Sequence, residues 1–192
     1  MRRSSLPARI LLVVLSAAAP FTYAGAARAA DATQPASAAG YVHEAIINGP
    51  QDLVWRLLTT EQGMESWLAP QADVDLRVGG LVRTHQDPKG TLGDPQTLVN
   101  RVLSLEPGKK FAFRVDKAPD AFPLGPFLVG TWYDVVLDPL PRDRTRVRCV
   151  GHGFPPGPAA FAIRPAFDKG TEMALGELEK AVERTRPKRA AK

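Results

Sequence analysis

"VDLRVGGLVRTHQD", residues 74–87, places two adjacent glycines between segments that mix apolar and charged side chains. Such a pair either cradles a phosphate or lets the chain turn. A phosphate loop reads G-x-G-x-x-G after a buried strand, or ends in G-K-S/T ahead of a helix. Gly79-Gly80 has neither the spacing nor the lysine, and Leu81-Val82-Arg83-Thr84 reads as a further strand. Paired glycines supply the positive φ angles of a tight hairpin, so the stretch is a turn between strands.

Downstream, the pattern continues as strands over 81–86, 97–105, 110–116, 129–137 and 145–151, preceded by one over 73–77. Asp87-Pro88 to Asp94-Pro95, Pro107-Gly108, the proline-rich stretch 119–126 and Asp138 to Asp143 supply the breaks. Charged residues assign the faces of three strands. Arg114 outward turns Phe111, Phe113 and Val115 inward; Asp134 outward turns Tyr133, Val135 and Leu137 inward; Arg146 and Arg148 outward turn Val147, Cys149 and Gly151 inward. The strands at 81–86 and 97–105 mix polar and apolar residues on both faces, and their sides stay open.

Upstream, "YVHEAII" (41–47) reads as a strand with Tyr41, His43, Ala45 and Ile47 on the inner face. Asn48-Gly49-Pro50 ends it and starts a helix with the stripe Leu53, Val54, Leu57 and Leu58. Thr59 with Gln62 suggests a capping box for a second short helix, whose buried side is Met64, Trp67 and Leu68. At the other end, a long helix is expected from Pro165 to about Arg184. Phe167, Thr171, Ala174, Leu175, Leu178, Ala181 and Val182 follow helical spacing, with Asp168, Glu172, Glu179 and Glu183 opposite. The fold class is α+β: a curved seven-stranded antiparallel sheet around a long C-terminal helix, with two short helices after the first strand.

"IINGPQDLVWRLLTTEQGMESWL", "DLRVGG", "VLSLEPGKKF" and the helix residues Gly170, Leu175 and Leu178, in that order, resemble the START-like (SRPBCC) superfamily. Within it, the chain is similar to the branch related to the heat-shock-chaperone (Hsp-90) ATPase activator homologues. The resemblance spans Tyr41 to Val182 and implies a helix-grip fold, with a small lipophilic molecule held between the long helix and the sheet. Cavity walls in such a fold are mostly apolar with a few orienting polar groups. On that basis the ligand-binding candidates are Phe111, Phe113, Tyr133, Val135, Phe167, Thr171, Ala174 and Leu178, with His43 as a polar group. The family often carries tryptophan directly after the helix glycine. Thr171 stands there in this chain and predicts a larger hollow. The loop "KAPDAFPLGPFLVG" (117–130), with Phe122, Leu124, Phe127 and Leu128, is longer than the family's connection; a cavity lid is the first reading, with a partner contact or extra core as the alternatives.

The rest of the chain bounds the setting. Residues 1–29 carry Arg2, Arg3 and Arg9, the apolar run "ILLVVLSAAAP" and "ARA" at 27–29, the pattern of a secretory signal peptide. Residues 30–40 read as a linker, 41–184 as the START-like domain and 185–192 as a basic disordered tail. The expected location is periplasmic or secreted, without stable membrane insertion after cleavage. The formal net charge is +5 over 192 residues; the leader holds four arginines and no acids, and Arg184–Lys192 holds five basic residues, so the part between is near −4. The basic character belongs to the ends, which argues against nucleic acid as a partner and leaves the tail only a weak contact with anionic surfaces.

Catalytic motifs find no support. "HEAII" starts like a zinc-protease H-E-x-x-H, but Ile47 stands where the second histidine belongs, and there is no G-x-S-x-G elbow. No metal or cofactor is expected. Cys149, the one cysteine, reads as a small core residue, and His85 and His152 as surface residues near strand ends. Two alternatives to ligand binding remain. One is a cyclase- or aldol-type enzyme with His43 as base and Tyr133 as polariser, which requires both to face one cavity. The other is a protein-interaction module akin to the chaperone activators.

Overall fold

The computed structural model describes residues 41–154 and 157–186. The expected leader (1–29), the linker (30–40) and most of the basic tail lie outside the described residues. The elements run β1 (Tyr41–Ile47), α1 (Gln51–Thr59), α2 (Glu61–Glu65), β2 (Gln71–Val74), β3 (Leu81–His85), β4 (Leu98–Glu106), β5 (Lys110–Lys117), α3 (Gly125–Leu128), β6 (Trp132–Leu140), β7 (Arg144–His152) and α4 (Pro158–Thr185). All seven strands join one antiparallel sheet in the order β1-β7-β6-β5-β4-β3-β2. This is the helix-grip architecture, with α4 along the inner face of the sheet.

The two glycines of 74–87 do turn the chain. Gly79 sits at φ 83°, and Gly80 N–H donates to the Arg77 carbonyl at 2.8 Å. A Cβ at Gly80 would lie 2.2 Å from the Asp75 carbonyl oxygen, so both positions need glycine. The turn is wider than expected: β2 is Gln71–Val74 rather than 73–77, because Asp75 to Gly80 form the connection. Gly79 and Gly80 also exchange backbone bonds with Val102 of β4, at 2.8 and 2.9 Å, which ties the turn to the neighbouring strand.

The first helix follows the expected stripe, with Leu53, Val54 and Leu57 buried and Asp52 bonding Arg56 at 2.7 Å one turn on. The second is capped one residue later than predicted. Thr59 still belongs to α1 and donates its hydroxyl to the Trp55 carbonyl at 2.7 Å. Thr60 is extended (φ −116°, ψ 153°) and accepts from Gly63 N–H at 3.0 Å. Only a residue outside helical geometry can aim its oxygen back at the third N–H of the next helix.

α4 begins at Pro158, not after Pro165, which lies inside it. Proline withholds an N–H from the helical ladder, and the Pro165 ring lies on the exposed side of the helix. Ile163, Ala166, Phe167, Leu175, Leu178, Ala181 and Val182 form its buried stripe. The C-terminal half docks on α1 and on the sheet through a cluster that includes Ile47, Val54, Leu137, Val147, Leu178 and Val182. Each such side chain contributes about 1.5–3 kcal/mol by leaving water. Gly49 permits the close approach, since a Cβ there would meet Val182 Cγ1 at 2.4 Å. Among the described residues no helix is long and apolar enough to cross a membrane.

Candidate functional site

Between α4 and the sheet lies a cavity of about 320 Å³. From the sheet come Phe111, Phe113, Tyr133 and Val135; from α4 come Phe167, Thr171, Ala174 and Leu178. Eight of the nine residues singled out from sequence therefore face one hollow. Their inward direction follows from strand alternation, and the pairs Phe111↔Val135 and Phe113↔Tyr133 align them across β5 and β6. The rings form a continuous wall: Phe111–Phe113 at 6.0 Å, Phe113–Tyr133 at 5.1 Å and Tyr133–Phe167 at 5.1 Å between centroids. Gly151 on β7 makes room for that wall, because a Cβ there would lie 2.9 Å from Phe167 Cζ.

His43 is the exception. It is not among the cavity-lining residues. Its Nε2 lies 3.0 Å from Asp168 Oδ1, and its ring meets Phe167 edge-on at 5.8 Å between centroids. Phe167 thus has His43 on one side and Tyr133, which does line the cavity, on another. The base-and-polariser pair required by the enzymatic alternative is not assembled. Pairing with Asp168 at the helix edge satisfies the imidazole, as a half-buried histidine requires.

Sequence reasoning missed the β3–β4 wall. Val82, Thr84, Gln86, Gln96, Leu98, Asn100 and Val102 also line the hollow. Their side was unreadable because β3 is covered on both faces: Val82 and Thr84 face the cavity, while His85, on the opposite side, is only 3% exposed. His85 therefore corrects the expectation of a surface histidine. The 86–97 loop folds over it, and its Nε2 lies 3.0 Å from Asp94 Oδ2. His152, half-buried, pairs with Asp134 at 3.1 Å and stacks on the exposed Trp132.

The 117–130 segment closes one end. Pro119, Phe122 and Leu128 face the hollow, while Phe127 and Val129 point to solvent. The Thr131 hydroxyl donates to the Leu128 carbonyl at 2.7 Å and lies 3.4 Å from the Tyr133 hydroxyl, fastening this cover to the wall. β6 consequently starts at Trp132 rather than at 129, since the chain before it is still completing the cover.

The electrostatics are those of an apolar, uncharged compartment. Among the described lining residues none is an acid, a base or a histidine. Burial pushes the Tyr133 phenol from its ordinary 10.0 up to about 12, and the Cys149 thiol from 9.0 up to about 12. Cys149 is cavity wall rather than plain core, and its thiol stays protonated and unreactive at neutral pH. Among the described residues no group of three His, Cys, Asp or Glu side chains is arranged to hold a metal.

Comparison with known proteins agrees with this architecture. Residues 48–183 match the family model described as activator of Hsp90 ATPase homolog 1-like protein. A comparison with curated proteins finds no match. Among solved structures, a Mesorhizobium loti protein is 25% identical with a TM-score of 0.61, over 77% of this chain and 98% of its own. The Aha1 dimer of Colwellia psychrerythraea is 18% identical with a TM-score of 0.56, over 76% of this chain and 97% of its own. DynU16, from the dynemicin biosynthetic locus, is 18% identical with a TM-score of 0.58; the match covers 79% of this chain but 49% of DynU16. With most of its length, residues 48–183 of 192, matched by the family model and its fold shared with these structures, the chain belongs to the activator of Hsp90 ATPase homolog 1-like family.

Proposed function

We propose that this protein is an exported carrier that holds a lipophilic small molecule between α4 and the sheet, without catalysing a reaction on it. The observation that supports the reading is the hollow itself: about 320 Å³, walled by Phe111, Phe113, Val135, Phe167 and Leu178. Desolvating apolar surface drives a greasy ligand into such a site, and 300–1,000 Å³ is the usual range for small-molecule pockets. The cover at 117–130 removes the bound molecule from water. Export is the part of the proposal that draws on the leader pattern of residues 1–29.

Partner binding through the outer face of the sheet has weaker support. The exposed Val42 and Ile46 flank Glu44, which pairs with Arg146 at 3.1 Å, so charge interrupts the apolar surface.

Native mass spectrometry of the protein purified from its own host tests the carrier reading, expecting a co-purifying lipid or isoprenoid mass. A second arm uses the neutral dye N-phenyl-1-naphthylamine. The wild type is expected to enhance its fluorescence, and Thr171→Trp, which puts a large ring into the hollow, to lose that response while keeping its circular dichroism. An empty protein that also ignores the dye sinks the proposal. Fractionation with N-terminal sequencing tests export; a mature chain starting near Ala30 is expected, and a cytosolic chain retaining Met1 would refute it.

A further inference from the structure

The polar side chains of the hollow are concentrated on one side. Thr84 and Gln86 stand on or just after β3, and Gln96 and Asn100 on or just before β4. The wall formed by β5, β6 and α4 is instead dominated by rings and aliphatic groups. The two glutamines each have one end spent within the protein. The Gln86 amide nitrogen donates to the Leu68 carbonyl at 3.4 Å, and the Gln96 carbonyl oxygen accepts from Ala121 N–H at 3.1 Å. An acceptor is left on the first and a donor on the second, while the Thr84 hydroxyl can act as either. Asn100 is different. It lies within β4, between Val82 of β3 and Val115 of β5, so its cross-strand neighbours are hydrocarbon on both sides. Its Oδ1 is buried without a partner, and its Nδ2, unpartnered among the described residues, is the end that opens on the hollow. Of the two orientations of the amide this is the less costly, since turning it over would bury an NH2 group with two unmet protons in place of a carbonyl.

A pure hydrocarbon filling the hollow would strip water from that NH2 group and leave it unpaired, at a cost in free energy. A carbonyl oxygen on the ligand takes the bond instead, and brings no proton that needs a partner of its own. The same surroundings disfavour charge: no acid, base or histidine among the described lining residues offsets the water an ionised headgroup would lose. Resting on the carrier reading above, we propose that the ligand is an uncharged lipophile with a ketone or ester carbonyl, which accepts a hydrogen bond from Asn100 Nδ2 while its hydrocarbon lies among Phe111, Phe113, Val135 and Leu178.

Three probes separate the terms, each measured as displacement of N-phenyl-1-naphthylamine from the full chain at neutral pH. 2-Octanone carries the acceptor, 2-methyl-1-octene replaces its oxygen by a CH2 group of similar shape, and octanoate is an anion. Dividing each neutral probe's affinity by its water-to-heptane partition leaves only what the protein adds to plain hydrocarbon. On that scale the wild type is expected to favour the ketone over the alkene by at least about fivefold, one net hydrogen bond. Octanoate is expected to bind at least about tenfold more weakly than the ketone. Asn100→Leu, of similar volume, is expected to abolish the ketone's advantage while still binding the dye. If that variant does not fold, the corrected wild-type ratio decides alone. Equal corrected affinities for ketone and alkene, octanoate binding as well as the ketone, or a folded Asn100→Leu that keeps the advantage would each overturn this inference and leave the carrier reading standing. A wild type that binds neither the dye nor any probe overturns both.

Discussion

The imidazole of His85, at the end of β3, is clamped by the carboxylate of Asp94, whose two oxygens lie 3.1 and 3.0 Å from Nε2. On the other side of the ring, Asp87 N–H reaches Nδ1 at 3.0 Å. The pair ties down the loop that carries Gln86 and Gln96 to the cavity rim. Gly90 lies over the ring so closely that an added Cβ would sit 1.9 Å from Cε1. His85→Ala is expected to cost about 2–4 kcal/mol, through lost packing and the loss of the bonds the imidazole makes to Asp94 and to Asp87 N–H. Gly90→Ala alone should also destabilise, because the ring must move. The double variant should cost less than the sum of the two by at least about 1 kcal/mol, since removing the ring makes space for the methyl group. Urea denaturation of the four proteins checks this, and strict additivity would refute it.

Alkaline stability follows from Tyr133 and Cys149. Both hold their protons more tightly in the folded chain, at about 12, than at their ordinary values of 10.0 and 9.0. A raised folded-state value means that stability is complete below pH 9.0, where the unfolded thiol would begin to ionise, and is lost as pH rises toward about 12. The expected loss is on the order of several kcal/mol for the two groups together. Denaturation midpoints at about pH 8 and about pH 11 measure it, and Cys149→Ala should move the onset from 9.0 toward 10.0, the ordinary value of the tyrosine.

Leu178 stands where cavity and core meet: it lines the hollow, yet is 1% exposed and packs with Ile47, Val54 and Val147. Leu178→Ala should cost about 2–5 kcal/mol in chemical denaturation. The variant should still bind N-phenyl-1-naphthylamine where it remains folded, because truncation enlarges the space rather than filling it. Thr171→Trp should do the opposite on binding.

Helix capping gives a sharp local comparison between neighbours. Thr60→Ala removes the oxygen that accepts from Gly63 N–H and should cost about 1 kcal/mol. Thr60→Ser keeps that oxygen and should restore most of the loss. Thermal denaturation of the two variants checks the order.

Much of the fold was readable because one charge per strand was enough to assign a face. Arg114, Asp134 and the Arg146/Arg148 pair each put a charge where only the outer side of the sheet is wet, and Phe111, Phe113, Tyr133 and Val135 followed inward by alternation. Thr171, Ala174 and Leu178 were readable in the same way, by helical spacing. Alternation failed at β3, where a folded-back loop buries His85 on the side opposite Val82 and Thr84. It failed for His43 in a different manner: the strand face was right, but the side chain is taken up by Asp168, 125 residues away in sequence.

The sequence by itself determined the order of the seven strands and of α1, α2 and α4 (though not the short α3 inside the 117–130 loop), the turn at Gly79-Gly80 and the apolar stripe of the last helix, because each depends on neighbours within a few residues. The tertiary structure alone decided that α4 starts before Pro165, that Asn100 is left without a partner beside the hollow and that His43 stays out of it. Those outcomes depend on which distant surfaces meet, and no local periodicity carries that information.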